Sequence, residues 1–162
     1  MIVSPDSGRI KVAERMAQHL HDCEADIAFI YKRRPKGQAN VVEAKEGIGD
    51  VAGRLCILTD DMIDTGGKIV SPVPTRTAAT PERGATEVWA MATHGVLSGP
   101  AVDRLKNSPI ARIVLTNTLP LPEEKQLPQI EVLSIAPLIA EALSAVFDDT
   151  SVSEIFSGEN YA

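Results

Sequence analysis

The run Leu55-Cys56-Ile57-Leu58-Thr59-Asp60-Asp61-Met62-Ile63-Asp64-Thr65-Gly66-Gly67-Lys68 constrains the fold more than any other part of the chain. It opens as an apolar run of strand length and passes into three carboxylates, a hydroxyl, two glycines and a cation. A short continuous apolar run suits a strand buried on both faces of a parallel sheet. Ligands of such sheets bind at the carboxyl edge, where loops leave the strands, and the polar residues are expected at that edge. Gly66 and Gly67 permit positive φ, so that successive backbone N–H groups can turn inward onto a phosphate. Carboxylates repel a bare phosphate, which directs Asp60, Asp61 and Asp64 toward sugar hydroxyls or Mg²⁺. The stretch reads as a sugar-phosphate site.

The flanking sequence supplies the rest of such a sheet. Met1-Ile2-Val3 is a short apolar start, followed by a turn-forming loop, Ser4 to Arg9, and then by helical spacing of Ile10, Ala13, Met16, Ala17 and Leu20. Asp6 and Ser7 lie just ahead of that helix, where capping and ligand binding are both open to them. His19 and His21 near its end fit the helix dipole better than a metal. Asp26–Tyr31 reads as a second strand, and the cations of Lys32-Arg33-Arg34-Pro35-Lys36 leave its carboxyl edge as a loop. A charge run is often only a solvated surface, but its place on the same edge as the acidic stretch points to phosphate contact. Val41 to Asp50 reads as a polar connection.

Three prolines between Ser71 and Pro81 conflict with the helix that should follow a phosphate loop, since an interior proline costs about 3 kcal/mol. That element is predicted to be short or irregular. Strands are then expected at Glu87–Thr93, Arg112–Thr116 and Ile130–Leu133, with helices over Ser98–Lys106 and Ala136–Phe147. The last helix presents Leu138, Ile139, Ala142, Leu143 and Val146 in phase. Strands alternating with helices give an α/β domain with a mainly parallel sheet flanked by helices.

At 162 residues the chain is expected to form one domain, residues 1–162, with residues 151–162 as a polar tail. A formal charge of −6 disfavours nucleic acid as the main partner, because phosphate neutralisation by Lys and Arg supplies most of such affinity. No apolar run approaches the roughly 20 residues of a membrane span. Cys23 and Cys56 lack CxxC spacing, and no leader-like segment precedes them. Plain thiols in a reducing cytoplasm are the expectation, with Cys56 a buried small hydrophobe.

The segments VSPDSG, YKRRP, ILTDDMIDTGG, ATHGVLSGPA, VLTNTLPLPEEK and SVSEIFSG resemble, in order, those of the ribose-phosphate pyrophosphokinase family, the phosphoribosyl pyrophosphate synthetases. DDMIDTGG alone would indicate only the wider type I phosphoribosyltransferase group, and the other segments narrow it. The resemblance runs over essentially the whole chain but only the C-terminal half of a usual family member. It implies a type I phosphoribosyltransferase-like fold and a homo-oligomeric, cytoplasmic enzyme. The implied reaction is Mg²⁺-dependent transfer of the diphosphoryl group of ATP to the 1-hydroxyl of ribose 5-phosphate, giving phosphoribosyl pyrophosphate and AMP for nucleotide biosynthesis.

Residue by residue, the resemblance assigns Asp60 and Asp61 to the ribose hydroxyls, and Asp64, Thr65, Gly66, Gly67 and Lys68 to the 5-phosphate loop. Lys32 and Arg34 match catalytic cations that stabilise charge on the transferring phosphoryl group, and Asp6 matches a Mg²⁺ ligand. Two positions depart from the family pattern: Arg9 stands where a glycine is usual, and Lys68 where a threonine is usual. In the family, the adenine-binding residues, a histidine metal ligand and much of the oligomer interface come from the other half, so the ATP site is incomplete here and activity alone is not expected. Two other readings fit parts of the pattern. One is a non-catalytic subunit associated with a full-length synthetase; the other is a phosphoribosyltransferase, disfavoured by YKRRP and SVSEIFSG.

Overall fold

A computed structural model describes residues 1–32, 45–71 and 84–156. One seven-stranded sheet organises them, in the order β3-β2-β1-β4-β5-β6-β7. The strands are β1 (Ile2–Ser4), β2 (Ile27–Lys32), β3 (Lys45–Ile48), β4 (Leu55–Ile63), β5 (Glu87–Gly95), β6 (Arg112–Thr116) and β7 (Ile130–Leu133). All neighbours are parallel except β2 and β3. The helices are α1 (Ile10–His19), α2 (Gly67–Val70), α3 (Ala101–Lys106) and α4 (Ala136–Phe147). The expected α/β domain is therefore present. Among the described residues no helix is long and apolar enough to cross a membrane.

β4 sits at the centre because its apolar half can be buried from both sides. Cys56, Leu58 and Ile63 are buried with Val88, Ala90, Ile113 and Leu115 of the neighbouring strands and with Ile69 and Leu105 from the helices. Each fully buried Leu or Ile contributes about 1.5–3 kcal/mol. On α1, the small residues Ala13 and Ala17 are buried together with Ile2 of β1, while Met16 and Leu20 flank them half-buried. Alanine on the contact stripe lets the helix backbone approach the sheet closely.

Three features differ from what the sequence suggests. Asp60 and Asp61 do not follow β4 but lie within it, since pairing with β5 continues through Asp60↔Ala92 to Ile63↔Gly95. The span read as a polar connection, Val41 to Asp50, contains β3, which pairs antiparallel with β2 in the register Phe29↔Ile48 to Lys32↔Lys45. Beyond the far end of β3, Gly49 sits against β2: its φ is +124°, and a Cβ there would lie 2.6 Å from the Ala28 Cβ. Polar composition hid the strand, because Lys45-Glu46-Gly47-Ile48 offers no apolar run in the sequence.

The third difference concerns α4, whose bounds are as expected but whose apolar face is largely exposed among the described residues. Leu138, Ile139, Leu143 and Val146 are exposed, Phe147 is 84% exposed, and only Ala145 of the helix is buried. Periodicity reports that a face is apolar and not what lies against it, and α4 packs chiefly on the 3-10 turn Val152–Phe156. α2 is a single turn, with Ser71 as its C-cap, and the element predicted from the prolines to be short or irregular falls on the residues that follow. Residues 72–83 lie outside the described residues.

Candidate functional site

Strand order locates the site. β1 leads through α1 to β2 on one side, whereas β4 leads to β5 on the other, so the chain reverses direction between the adjacent strands β1 and β4. The loops leaving their carboxyl ends diverge and open a crevice, which is where ligands of open parallel sheets bind. Asp6 follows β1 there, Asp60 to Ile63 form the carboxyl end of β4, and Asp64 to Ile69 continue from it. A pocket of about 320 Å³ is lined by Asp60, Met62, Ile63, Asp64, Thr65, Gly66, Lys68 and Ile69.

The loop is shaped by its backbone and by α3. Gly66 has a φ of +76°, a region a side chain enters only at a cost of about 1–2 kcal/mol. It initiates the turn of α2, whose Val70 N–H donates to the Gly66 carbonyl at 2.9 Å. The loop after β5 braces the other side. The Leu97 N–H donates to the Ile63 carbonyl and the Ser98 N–H to the Asp64 carbonyl, each at 3.0 Å. The Ser98 hydroxyl donates to the Asp64 carboxylate, and Arg104 of α3 donates from Nη1 to the Thr65 carbonyl at 2.9 Å.

The carboxylates are engaged within the chain. Asp6 Oδ1 accepts from the Gly8 N–H at 3.0 Å, capping the 3-10 turn Ser7–Arg9, while Asp6 Oδ2 lies 3.1 Å from Lys68 Nζ. Capping and a second contact thus fall to the two oxygens of one side chain. Arg9 spans the acidic pair, with Nε 3.6 Å from Asp60 Oδ1 and Nη2 on Asp61 Oδ2. Asp60 is the most enclosed of the three, its side chain 1% exposed. Its Oδ1 accepts from the Asp61 N–H at 2.9 Å, but Oδ2 is buried without a hydrogen-bond partner. The nearest cation to that oxygen is Lys68 Nζ at 3.9 Å.

Burial pushes the Asp60 carboxyl up from its ordinary range; the Asp61 side chain adds to the rise, while the Asp61 N–H and Lys68 oppose it. Asp61 moves down, chiefly through its side-chain contact with Asp60 and further through Arg9. The pair therefore divides: Asp61 carries charge, and Asp60 takes up a proton first as pH falls. The Lys68 ammonium is held above its usual value, first by its bond to Asp6 and then by the field of Asp60.

Of the residues singled out in the sequence, Asp6, Asp60, Asp61, Asp64, Thr65, Gly66, Gly67 and Lys68 meet around this crevice. Lys32 ends β2, next to β1 in the sheet, with its backbone paired to Lys45. Arg34 lies outside the described residues. Sequence reasoning missed three contributors: Arg9 as a partner of the acidic pair, Ser98 and Arg104. Arg9 had been noticed only as an unusual residue in a glycine position, and the other two reach the loop from beyond the next strand.

The proposed Mg²⁺ ligation by Asp6 meets a specific obstacle. A divalent ion of this kind takes several oxygen ligands at about 2.0–2.1 Å. Here the gap from Asp6 to Asp60 is bridged by an ammonium and that from Asp60 to Asp61 by a guanidinium. Among the described residues no three His, Cys, Asp or Glu side chains converge so as to hold a metal. The side-chain set does not fit the ion.

The sequence profile of the phosphoribosyl synthetase-associated domain family matches residues 28–157. This chain belongs to that family. It is 52% identical over 155 residues to a ribose-phosphate pyrophosphokinase of Streptomyces avermitilis, covering 96% of this chain and 46% of the relative. A ribose-phosphate pyrophosphokinase of Bifidobacterium longum is 50% identical, with 96% and 44% covered. The crystal structure of phosphoribosylpyrophosphate synthetase from Mycobacterium smegmatis superimposes with a TM-score of 0.76 at 47% identity, over 91% of this chain and 45% of that one. The fold is thus that of a phosphoribosyl pyrophosphate synthetase, as the motifs implied. The chain spans about half the length of the curated relatives it matches.

Proposed function

We propose that this chain is the ribose 5-phosphate-binding domain of a ribose-phosphate diphosphokinase. The observation that carries the reading is the pocket at the β1–β4 reversal. It combines a positive-φ glycine loop for a phosphate with a buried, unpartnered carboxylate oxygen for a sugar hydroxyl. The N–H groups from Thr65 to Lys68 hold the 5-phosphate. Asp60 Oδ2 accepts from a ribose hydroxyl, which removes the cost of a buried acceptor left without a donor, about 1–3 kcal/mol. The names and similarity of the relatives support the chemistry that follows.

In that reaction the 1-hydroxyl oxygen of ribose 5-phosphate attacks the β-phosphorus of ATP. The bond from that phosphorus to the α,β-bridging oxygen breaks, AMP leaves, and the hydroxyl proton passes to solvent. Lys32 and Arg34 serve as cations on the transferring group. Turnover also needs an adenine site, and the reaction belongs in the cytoplasm, as for other enzymes of nucleotide synthesis.

A second reading, a non-catalytic subunit that docks on a full-length synthetase, is favoured by Arg9 and Lys68 occupying the carboxylates of the site. Calorimetry with ribose 5-phosphate tests the shared core of both. Binding is expected, and Asp64→Ala should weaken it by about tenfold, the worth of one or two hydrogen bonds to a charged group. Lys32→Ala should leave it unchanged. Absence of binding, or equal loss in both variants, refutes the assignment. AMP release measured with and without a full-length synthetase separates the catalytic reading from the regulatory one.

A further inference from the structure

We propose that Arg9 and Lys68 are resident cations that neutralise Asp6, Asp60 and Asp61 from within, so that the pocket takes a sugar phosphate without a metal. The inference deepens the sugar-phosphate reading and rests on it for the identity of the ligand. Its own basis is the placement of the charges. Asp6, Asp60 and Asp61 lie at the carboxyl ends of β1 and β4 without closing on one point, and each gap between neighbours is spanned by one cation. Lys68 Nζ lies 3.1 Å from Asp6 Oδ2 and 3.9 Å from Asp60 Oδ2. Arg9 reaches Asp60 with Nε at 3.6 Å and Asp61 with Nη2.

The charge balance decides what an incoming phosphate meets. Three carboxylates alone present three negative charges, which repel a phosphate unless a metal intervenes. Two resident cations reduce this to one negative charge, held partly by the enclosed Asp60. Lys68 belongs both to this cluster and to the wall of the pocket. A guanidinium is charged at any working pH and holds two carboxylates at once. An ammonium on a flexible stem can turn from Asp6 toward a phosphate oxygen without leaving the site.

The one oxygen of the cluster left without a hydrogen bond among the described residues, Asp60 Oδ2, is buried in the wall of the pocket. It stands beside the Lys68 ammonium at the edge of the cavity and is aimed at a ligand hydroxyl donor. A metal ion, by contrast, would have to displace Lys68 from Asp6 and bring its own hydration shell into an occupied space. The arrangement therefore selects an uncomplexed sugar phosphate over a metal complex.

Two titrations of the purified chain decide the matter. Mn²⁺ binding, followed by the loss of its free electron-spin-resonance signal, is expected to show no saturable site in the wild type. An Arg9→Ala/Lys68→Ala variant should bind Mn²⁺ at least about tenfold more tightly, because the carboxylates are then uncompensated. Lys68→Thr alone, which removes the cation most exposed to solvent, should move in the same direction and serves if the double variant does not fold.

Ribose 5-phosphate calorimetry in EDTA and in Mg²⁺ should give wild-type affinities within about twofold of each other, whereas the Lys68→Thr variant should depend on Mg²⁺. A saturable wild-type Mn²⁺ site that Asp6→Asn abolishes would overturn the proposal. So would Mn²⁺ binding to none of these proteins, since the cations would then exclude nothing. If ribose 5-phosphate fails to bind under every condition, the functional assignment fails, and the Mn²⁺ titrations still decide whether Arg9 and Lys68 exclude a metal.

Discussion

Removing the Arg104 side chain isolates one contact that shapes the phosphate loop. Arg104 projects from α3 and donates from Nη1 to the Thr65 carbonyl at 2.9 Å. The same Nη1 lies 3.4 Å from where a Cβ on Gly67 would be, so the guanidinium rests against the loop from outside. A hydrogen bond from a charged donor is worth about 1.5–3 kcal/mol, and exposure of this one places it near 1 kcal/mol.

Arg104→Ala should therefore cost about 1 kcal/mol of stability, read from the urea midpoint at unchanged m-value. It should also weaken ribose 5-phosphate binding by about fivefold, because the Thr65 carbonyl is freed and the N–H groups after it lose their common direction. Arg104→Lys should recover charge but not the fixed fork, and so restore only part of the affinity. The salt dependence of binding separates positioning from direct contact. Unchanged salt dependence in Arg104→Ala marks a positioning residue, and a shallower one marks a phosphate contact. Wild-type affinity in Arg104→Ala would refute the claim that α3 sets the loop.

Two further outcomes follow from local geometry. Gly49→Ala should destabilise the chain by about 2–4 kcal/mol, combining a strained positive φ with an approach to the Ala28 Cβ that neither backbone can relieve; a urea-measured loss below about 1 kcal/mol would refute it. Of the two thiols, exposed Cys23 should react with Ellman's reagent in the native protein and buried Cys56 only in denaturant. Burial raises the Cys56 thiol, with the N-terminus and Arg54 opposing. The unfolded chain therefore ionises first, and stability should be full below the ordinary thiol pKa of about 8.5 and fall as pH rises through it toward the folded value. Stability unchanged by Cys56→Ser between neutral and alkaline pH, relative to wild type, would refute that linkage.

Local patterns carried the elements well because their causes are local. β6, β7 and α4 fall where period and turn residues put them. α2 is one turn long, next to the prolines that were expected to limit it. β3 was missed for a physical reason: Lys45-Glu46-Gly47-Ile48 leaves no apolar run, and its evidence is the close approach of Gly49 to β2. The apolar stripe of α4 was legible as a stripe, but its exposure was not, because periodicity does not identify a neighbour. At the site, the glycine loop and the acidic pair were legible as a compact run. Arg104 and Ser98 were not, since they reach the loop only through the packing of β5 and α3 beside β4.

The sequence by itself determined that an apolar strand runs into carboxylates and a glycine loop, because side-chain polarity and backbone permissiveness are written residue by residue. It also displayed Arg9 and Lys68 as unusual residues for such a motif, without saying what they touch. Only the tertiary structure decided that the reversal between β1 and β4 brings Asp6 and Arg9 to Asp60, and that Lys68 folds back onto both acids. Coulomb attraction acts over ångströms in space and not along the chain. Whether the same three carboxylates form a metal site or a site already neutralised from within is therefore settled by which cations the fold carries to them.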